Sequence, residues 1–94
     1  MPNVEFSDLI WDEYNQEHIV KHCVSIVEIE EVLQDPSAKE AEAHSGRFLK
    51  LGRSGKRLLT IVLTKEDEEK FYVVTARDMS KNERRFYRND EKEK

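Results

Sequence analysis

The sequence predicts an α+β domain built from two N-terminal helices, a three- or four-stranded antiparallel sheet and a C-terminal helix. Three observations carry this. Two early stretches open on helix-capping residues and continue with helical apolar spacing. Three later stretches alternate as strands and are joined by short polar turns. The last alternation gives way to a third capping signature. Short links favour antiparallel neighbours, so the sheet reads as a meander with helices on one face and the other face partly open.

Residues 1–11 read as extended at first, with Val4 and Phe6 apolar and Trp11 as an anchor. Asp12 can cap a helix running to about His22, with Tyr14, His18 or Ile19, and His22 along one side. Ser25 and Glu28 are spaced as a capping box, and Ile26, Ile29, Val32 and Leu33 follow helical spacing until Asp35-Pro36. Residues 37–46 show no clear period and read as an irregular loop or a poor edge strand. Strand patterns follow at Arg47–Arg53, Leu58–Thr64 and Phe71–Arg77, with Ser54-Gly55-Lys56 as a tight turn. In the last strand Phe71, Val73, Thr75 and Arg77 are expected on one face, and Tyr72, Val74 and Ala76 on the other. Ser80 and Glu83 then form a capping box, placing Met79 and Glu83 on one side of a helix with Phe86 or Tyr87.

Ninety-four residues make one domain, with residues 89–94 a charged tail expected to fray. One cysteine excludes an internal disulfide. No apolar run approaches a membrane span and the N-terminus lacks signal-peptide order, so a soluble, cytoplasmic protein is expected. The net charge of −4 conceals a polarity along the chain. Residues 1–46 sum to −9, residues 47–65 to +6 and residues 77–88 to +3. Basic segments of this kind suit an anion such as RNA, or pair with the acidic front on the surface.

The stretch Lys70–Arg88 delivers Arg77 at a strand end, beside a helix carrying Arg84, Arg85, Tyr87 and Arg88. Arginines grouped with a tyrosine suit a phosphate, because a guanidinium can meet two oxygens at once. The structural alternative for Arg77 is an ion pair with an acidic neighbour such as Glu83. His18 and His22 are four apart, a spacing that can hold zinc from a helix, but only the distant His44 offers a third ligand. No metal site and no cofactor are read.

Taken in order, the residues resemble the BrnT toxins of bacterial type II toxin–antitoxin pairs. The resemblance runs from about Phe6 to Tyr87. It rests on Trp11-Asp12 with Asn15, Lys21-His22 followed by Val24-Ser25, and Val32 with Asp35-Pro36. It continues through Arg47-Phe48, Leu51-Gly52-Arg53, Leu58–Thr64, Thr75-Ala76-Arg77 and Glu83-Arg84 with Tyr87. It departs at Cys23, where the family usually has glycine, and at Thr75, where serine is common. The resemblance implies a RelE-like fold, ribonuclease activity, and neutralisation by a small BrnA-like antitoxin whose ribbon-helix-helix domain alone contacts DNA.

Metal-free RNA cleavage needs a base for the 2′-OH, a cation for the phosphate and an acid for the leaving oxygen. Arg77 is the candidate for the phosphate, with Arg84 beside it. Tyr87 can stack on a base or donate a proton, or plug the core edge. His22 can act as base or acid, or cap helix carbonyls. Lys50 and Arg53 are candidate RNA-backbone contacts, or solvated charge. The alternative function is a RelE-like binding protein that keeps the antitoxin contact and has lost cleavage.

Overall fold

The structure, a computed structural model, describes residues 4–92 and side chains through Arg88. Strand β1 (Leu9–Ile10) leads into helix α1 (Glu13–Lys21), followed by α2 (Ile26–Leu33). Strands β2 (Lys39–Glu42), β3 (Arg47–Ser54), β4 (Arg57–Lys65) and β5 (Phe71–Asp78) follow, and α3 (Lys81–Lys92) closes the fold. Each helix begins at its sequence signature. Asp12 accepts from the Asn15 amide at 2.8 Å, while Asn15 Oδ1 accepts from the Asp12 amide at 2.9 Å. Asn15 is fully buried because its Nδ2 also donates to the Ile10 carbonyl at 2.8 Å, satisfying the strand that enters the helix. Ser25–Glu28 and Ser80–Glu83 close reciprocal capping boxes in the same way.

The end of α1 turns at Cys23, where the resembled family usually has glycine. The φ of Cys23 is 60°, the left-handed conformation. The Cys23 amide donates to the Val20 carbonyl at 2.8 Å and the Val24 amide to the Ile19 carbonyl at 2.9 Å. This is the Schellman arrangement, with Val24 and Ile19 supplying its apolar contact in the core. The buried side of α1 is Asn15 and Ile19, not Tyr14, His18 and His22. Tyr14 is 65% exposed and its ring lies against His18.

The sheet has five strands in the order β1-β5-β4-β3-β2 and is mixed, which corrects the expected three- or four-stranded antiparallel sheet. β1 runs parallel to β5, with Leu9 opposite Phe71. At two residues it is too short to leave a period in the sequence. β2 resolves the ambiguous 37–46 segment as a charged edge strand antiparallel to β3. Helix α3 continues through Lys92, past Arg88, where the sequence predicts a frayed tail; residues 93–94 lie outside the described residues.

A β-bulge decides which side chains face which way. Val62 pairs with Thr75 and Leu63 with Val73, leaving Val74 unmatched. The extra residue shifts the alternation, so Phe71, Val73 and Ala76 are buried with Leu59, Ile61 and Leu63 beneath α1 and α2. Thr75 and Arg77 belong to the opposite face, beside Val62 and Thr60. The expected grouping of Phe71 and Val73 with Thr75 and Arg77 is therefore broken. Helix α3 also packs on that opposite face, where Met79 and Tyr87 meet Leu51 and Leu58. The helices thus flank the sheet instead of sharing one face. Gly52 makes this possible on the first side. A Cβ there would lie 2.9 Å from Val32 Cγ1 and 3.0 Å from the Val32 carbonyl, so only glycine lets the end of α2 reach β3.

Candidate active site

Helix α3 projects Glu83 and Tyr87, one turn apart, onto the sheet, and each meets an arginine. Arg77 Nη1 donates to Glu83 Oε1 at 2.7 Å and Nη2 to Oε2 at 2.9 Å, a bidentate pair. Glu83 Oε1 also accepts from the Thr60 hydroxyl and the Ser80 amide, both at 2.8 Å. Hydrogen bonding from Arg77 holds the Glu83 carboxyl at about 2, against the opposing effect of burial. The same pair raises the pKa of Arg77 above its ordinary value. The Arg77 side chain remains 36% exposed at the sheet margin.

Tyr87 is only 2% exposed. Its hydroxyl donates to Asp35 Oδ2 at 2.6 Å and accepts from Arg53 Nε at 3.3 Å. Burial raises its pKa, and Asp35 adds to the effect. The ring therefore offers no face for a base to stack on, and its proton is directed at a carboxylate. Asp35 also accepts from the Arg53 amide at 3.0 Å, which ties the end of α2 to β3 next to Gly52.

At the same end of the sheet Arg57 forms a hub that sequence reasoning missed. It donates to Asp78 at 2.9 Å, to the carbonyls of His22 and Cys23 at 3.1 and 2.6 Å, and to the Glu28 carboxylate. Arg57 holds Asp78 below the usual carboxylate range, with smaller contributions from the charges of Arg84 and His22. Nothing local marks Arg57 in the sequence; it is one cation after a turn, and its partners are 21 to 35 residues away.

At this rim Arg57 bridges the His22 carbonyl to Asp78, the residue following Arg77, and the charge of Arg84 also acts on Asp78. His22 and Arg84 are exposed there. Arg53 lies on the Arg77 face but is tied to Tyr87. Lys50 is not at the rim. Opposite Ile61, it belongs to the other face and pairs with Glu40 at 3.2 Å. Among the described residues no three His, Cys, Asp or Glu side chains are grouped to hold a metal ion, and no helix is long and apolar enough to cross a membrane.

A family model described as "Ribonuclease toxin, BrnT, of type II toxin-antitoxin system" matches residues 11–83. The crystal structure of the Brucella abortus ribonuclease toxin, BrnT, superimposes with a TM-score of 0.60 at 26% identity, covering 78% of this chain and 96% of that one. A search of curated protein sequences finds no match.

Proposed function

The chain belongs to the BrnT family of ribonuclease toxins of type II toxin–antitoxin systems, with the RNA target and antitoxin partner that membership implies. From that premise we propose that it is an endoribonuclease that cleaves without a metal, inhibits translation and growth, and is neutralised by a BrnA-like ribbon-helix-helix antitoxin. The observation that carries the reading is the rim. A half-exposed guanidinium, Arg77, stands at a strand end, and Arg57 ties the neighbouring Asp78 to the His22 carbonyl at the end of α1.

In this reading Arg77 holds the scissile phosphate and stabilises the charge that gathers on its oxygens. Arg84 lies on the solvent side of α3 and draws the RNA backbone to the rim. His22, presented by the Schellman turn that Arg57 braces, exchanges a proton with the 2′-OH or the leaving 5′-oxygen. Arg53 adds cationic surface on the same face. Tyr87 acts by fixing α3 against Arg53 and Asp35 rather than by touching RNA. Lys50, on the far face, serves the β2–β3 pairing.

Expression without the antitoxin tests the reading. Growth arrest with loss of cellular RNA is expected. Arg77→Ala should remain folded and capture its antitoxin, yet cleave about a hundredfold more slowly. Cleavage should persist in EDTA. A folded Arg77→Ala with full toxicity would move the phosphate site elsewhere, with Arg84 next. Antitoxin capture by a wild-type chain that leaves RNA intact would favour a binding protein that has lost cleavage.

A further inference from the structure

A guanidinium has two flat edges that can each meet a pair of oxygens, one end-on through Nη1 and Nη2, the other side-on through Nε and Nη2. In Arg77 the end-on edge is taken by both oxygens of Glu83. Nη1 also reaches the Asp78 carbonyl at 3.3 Å. Nε makes no hydrogen bond among the described residues, and Nη2 retains a second N–H. The side-on edge is therefore the one two-donor face left, on a side chain that is 36% exposed.

Glu83 is itself held in place. Its Oε1 accepts from the Thr60 hydroxyl and the Ser80 amide as well as from Arg77. Thr60 is fully buried, on the central strand of the sheet. A phosphate that displaced Glu83 would leave a mostly buried carboxylate, 16% exposed, without its cation. A phosphate that met the side-on edge would leave the whole arrangement intact.

We propose that Glu83 is a positioning residue that takes the end-on edge of Arg77 and so aims its side-on edge at the scissile phosphate. The proposal rests on the reading of Arg77 as the phosphate-holding cation. It has a kinetic consequence. An arginine already paired with a carboxylate exerts little net long-range attraction, so it contributes little to capture of RNA. Its contribution is short-range and directional, made as the phosphate gathers charge, and it falls on kcat. Capture, and with it KM, is left to cations such as Arg84.

The test is steady-state cleavage of a fluorogenic RNA oligonucleotide by the purified full chain, with circular dichroism and thermal melting of each variant. Glu83→Gln is expected to lower kcat roughly tenfold and to change KM by no more than about twofold. Thr60→Val, which loosens Glu83 without removing it, should lower kcat in the same direction by less. In an Arg77→Ala background, Glu83→Gln should add no further loss. A higher kcat or tighter KM for Glu83→Gln would overturn the proposal, since Glu83 would then compete with phosphate. An equal loss with and without Arg77 would also overturn it, because the role would be structural only. Should Glu83→Gln fail to fold, an unchanged kcat in Thr60→Val is the overturning result. Wild-type cleavage by Arg77→Ala would instead refute the phosphate assignment, a separate failure.

Discussion

The two faces of this sheet are covered by different physics. Beneath α1 and α2 the sheet presents Leu59, Ile61, Leu63, Phe71, Val73 and Ala76, all buried, and the helices answer with Ile19, Ile29 and Val32. On the other face the buried apolar cluster is small, built on Leu51, Met79 and Tyr87. There α3 is held by cations that reach it from three strands. Lys39 of β2 donates to the Phe86 carbonyl at 2.7 Å, Arg53 of β3 reaches the Tyr87 hydroxyl, and Arg77 of β5 grips Glu83. Apolar burial is non-directional and scales with area, so it makes a stable base. Charge-assisted hydrogen bonds add less net stability but fix orientation. The candidate chemistry lies on the second face and its rim, where groups must point in defined directions and remain partly wet.

This contrast can be broken most directly on the first face. Ile61→Ala empties a fully buried central position and should cost about 3 kcal/mol in urea unfolding, with the cavity adding to the lost transfer energy. A cost under about 1 kcal/mol would mean that this face repacks freely and is not the rigid base described.

Acid should loosen the second face through Glu83. The Glu83 carboxyl lies at about 2 in the folded state, below its ordinary 4.5. Its pair with Arg77 therefore contributes stability that is fully present above about pH 4.5 and is lost as the pH falls toward 2. Partial exposure reduces the effect to about 2 kcal/mol. Melting temperatures across this window should fall in the wild type and fall less in Glu83→Gln. Parallel curves would show that the pair contributes nothing to stability.

Tyr87→Phe keeps the ring and removes the hydroxyl shared by Asp35 and Arg53. It should cost about 1 kcal/mol, with faster amide exchange in α3 and unchanged exchange in α1 and α2. Uniform acceleration in all three helices would show that the two faces do not open independently. The smallest effect is a gain. Cys23→Gly relieves a left-handed residue at the end of α1 and should stabilise by up to about 1 kcal/mol in thermal melts, once the greater freedom of glycine in the unfolded chain is subtracted. A loss would mean that the cysteine side chain makes a contact that outweighs its backbone strain.

Much of the candidate site was legible because its parts are local. Arg77 falls at the end of an alternating strand, and Glu83 falls three residues after Ser80, so both the cation and its neighbour were visible together. Tyr87 was legible as a helix residue near Arg84 but not as a buried one. Its depth depends on Leu51 and Leu58, and its hydroxyl on Asp35, 52 residues away. Lys50 and Arg53 read alike in the sequence as basic strand residues. Only the register of β3 against β4 separates them, placing Lys50 opposite Ile61 and Arg53 opposite Leu58.

By itself the sequence determined the three helix starts, the end of α1 near His22 and the three long strands. Each of these is set by hydrogen bonds or side-chain alternation within a few residues, whatever surrounds them. The tertiary structure decided the bulge at Val74, the parallel strand β1, the passage of α3 to the second face, and the Arg57 hub. These depend on pairings between segments far apart in the chain, where an unmatched residue or a two-residue strand is stabilised by neighbours that no local pattern names.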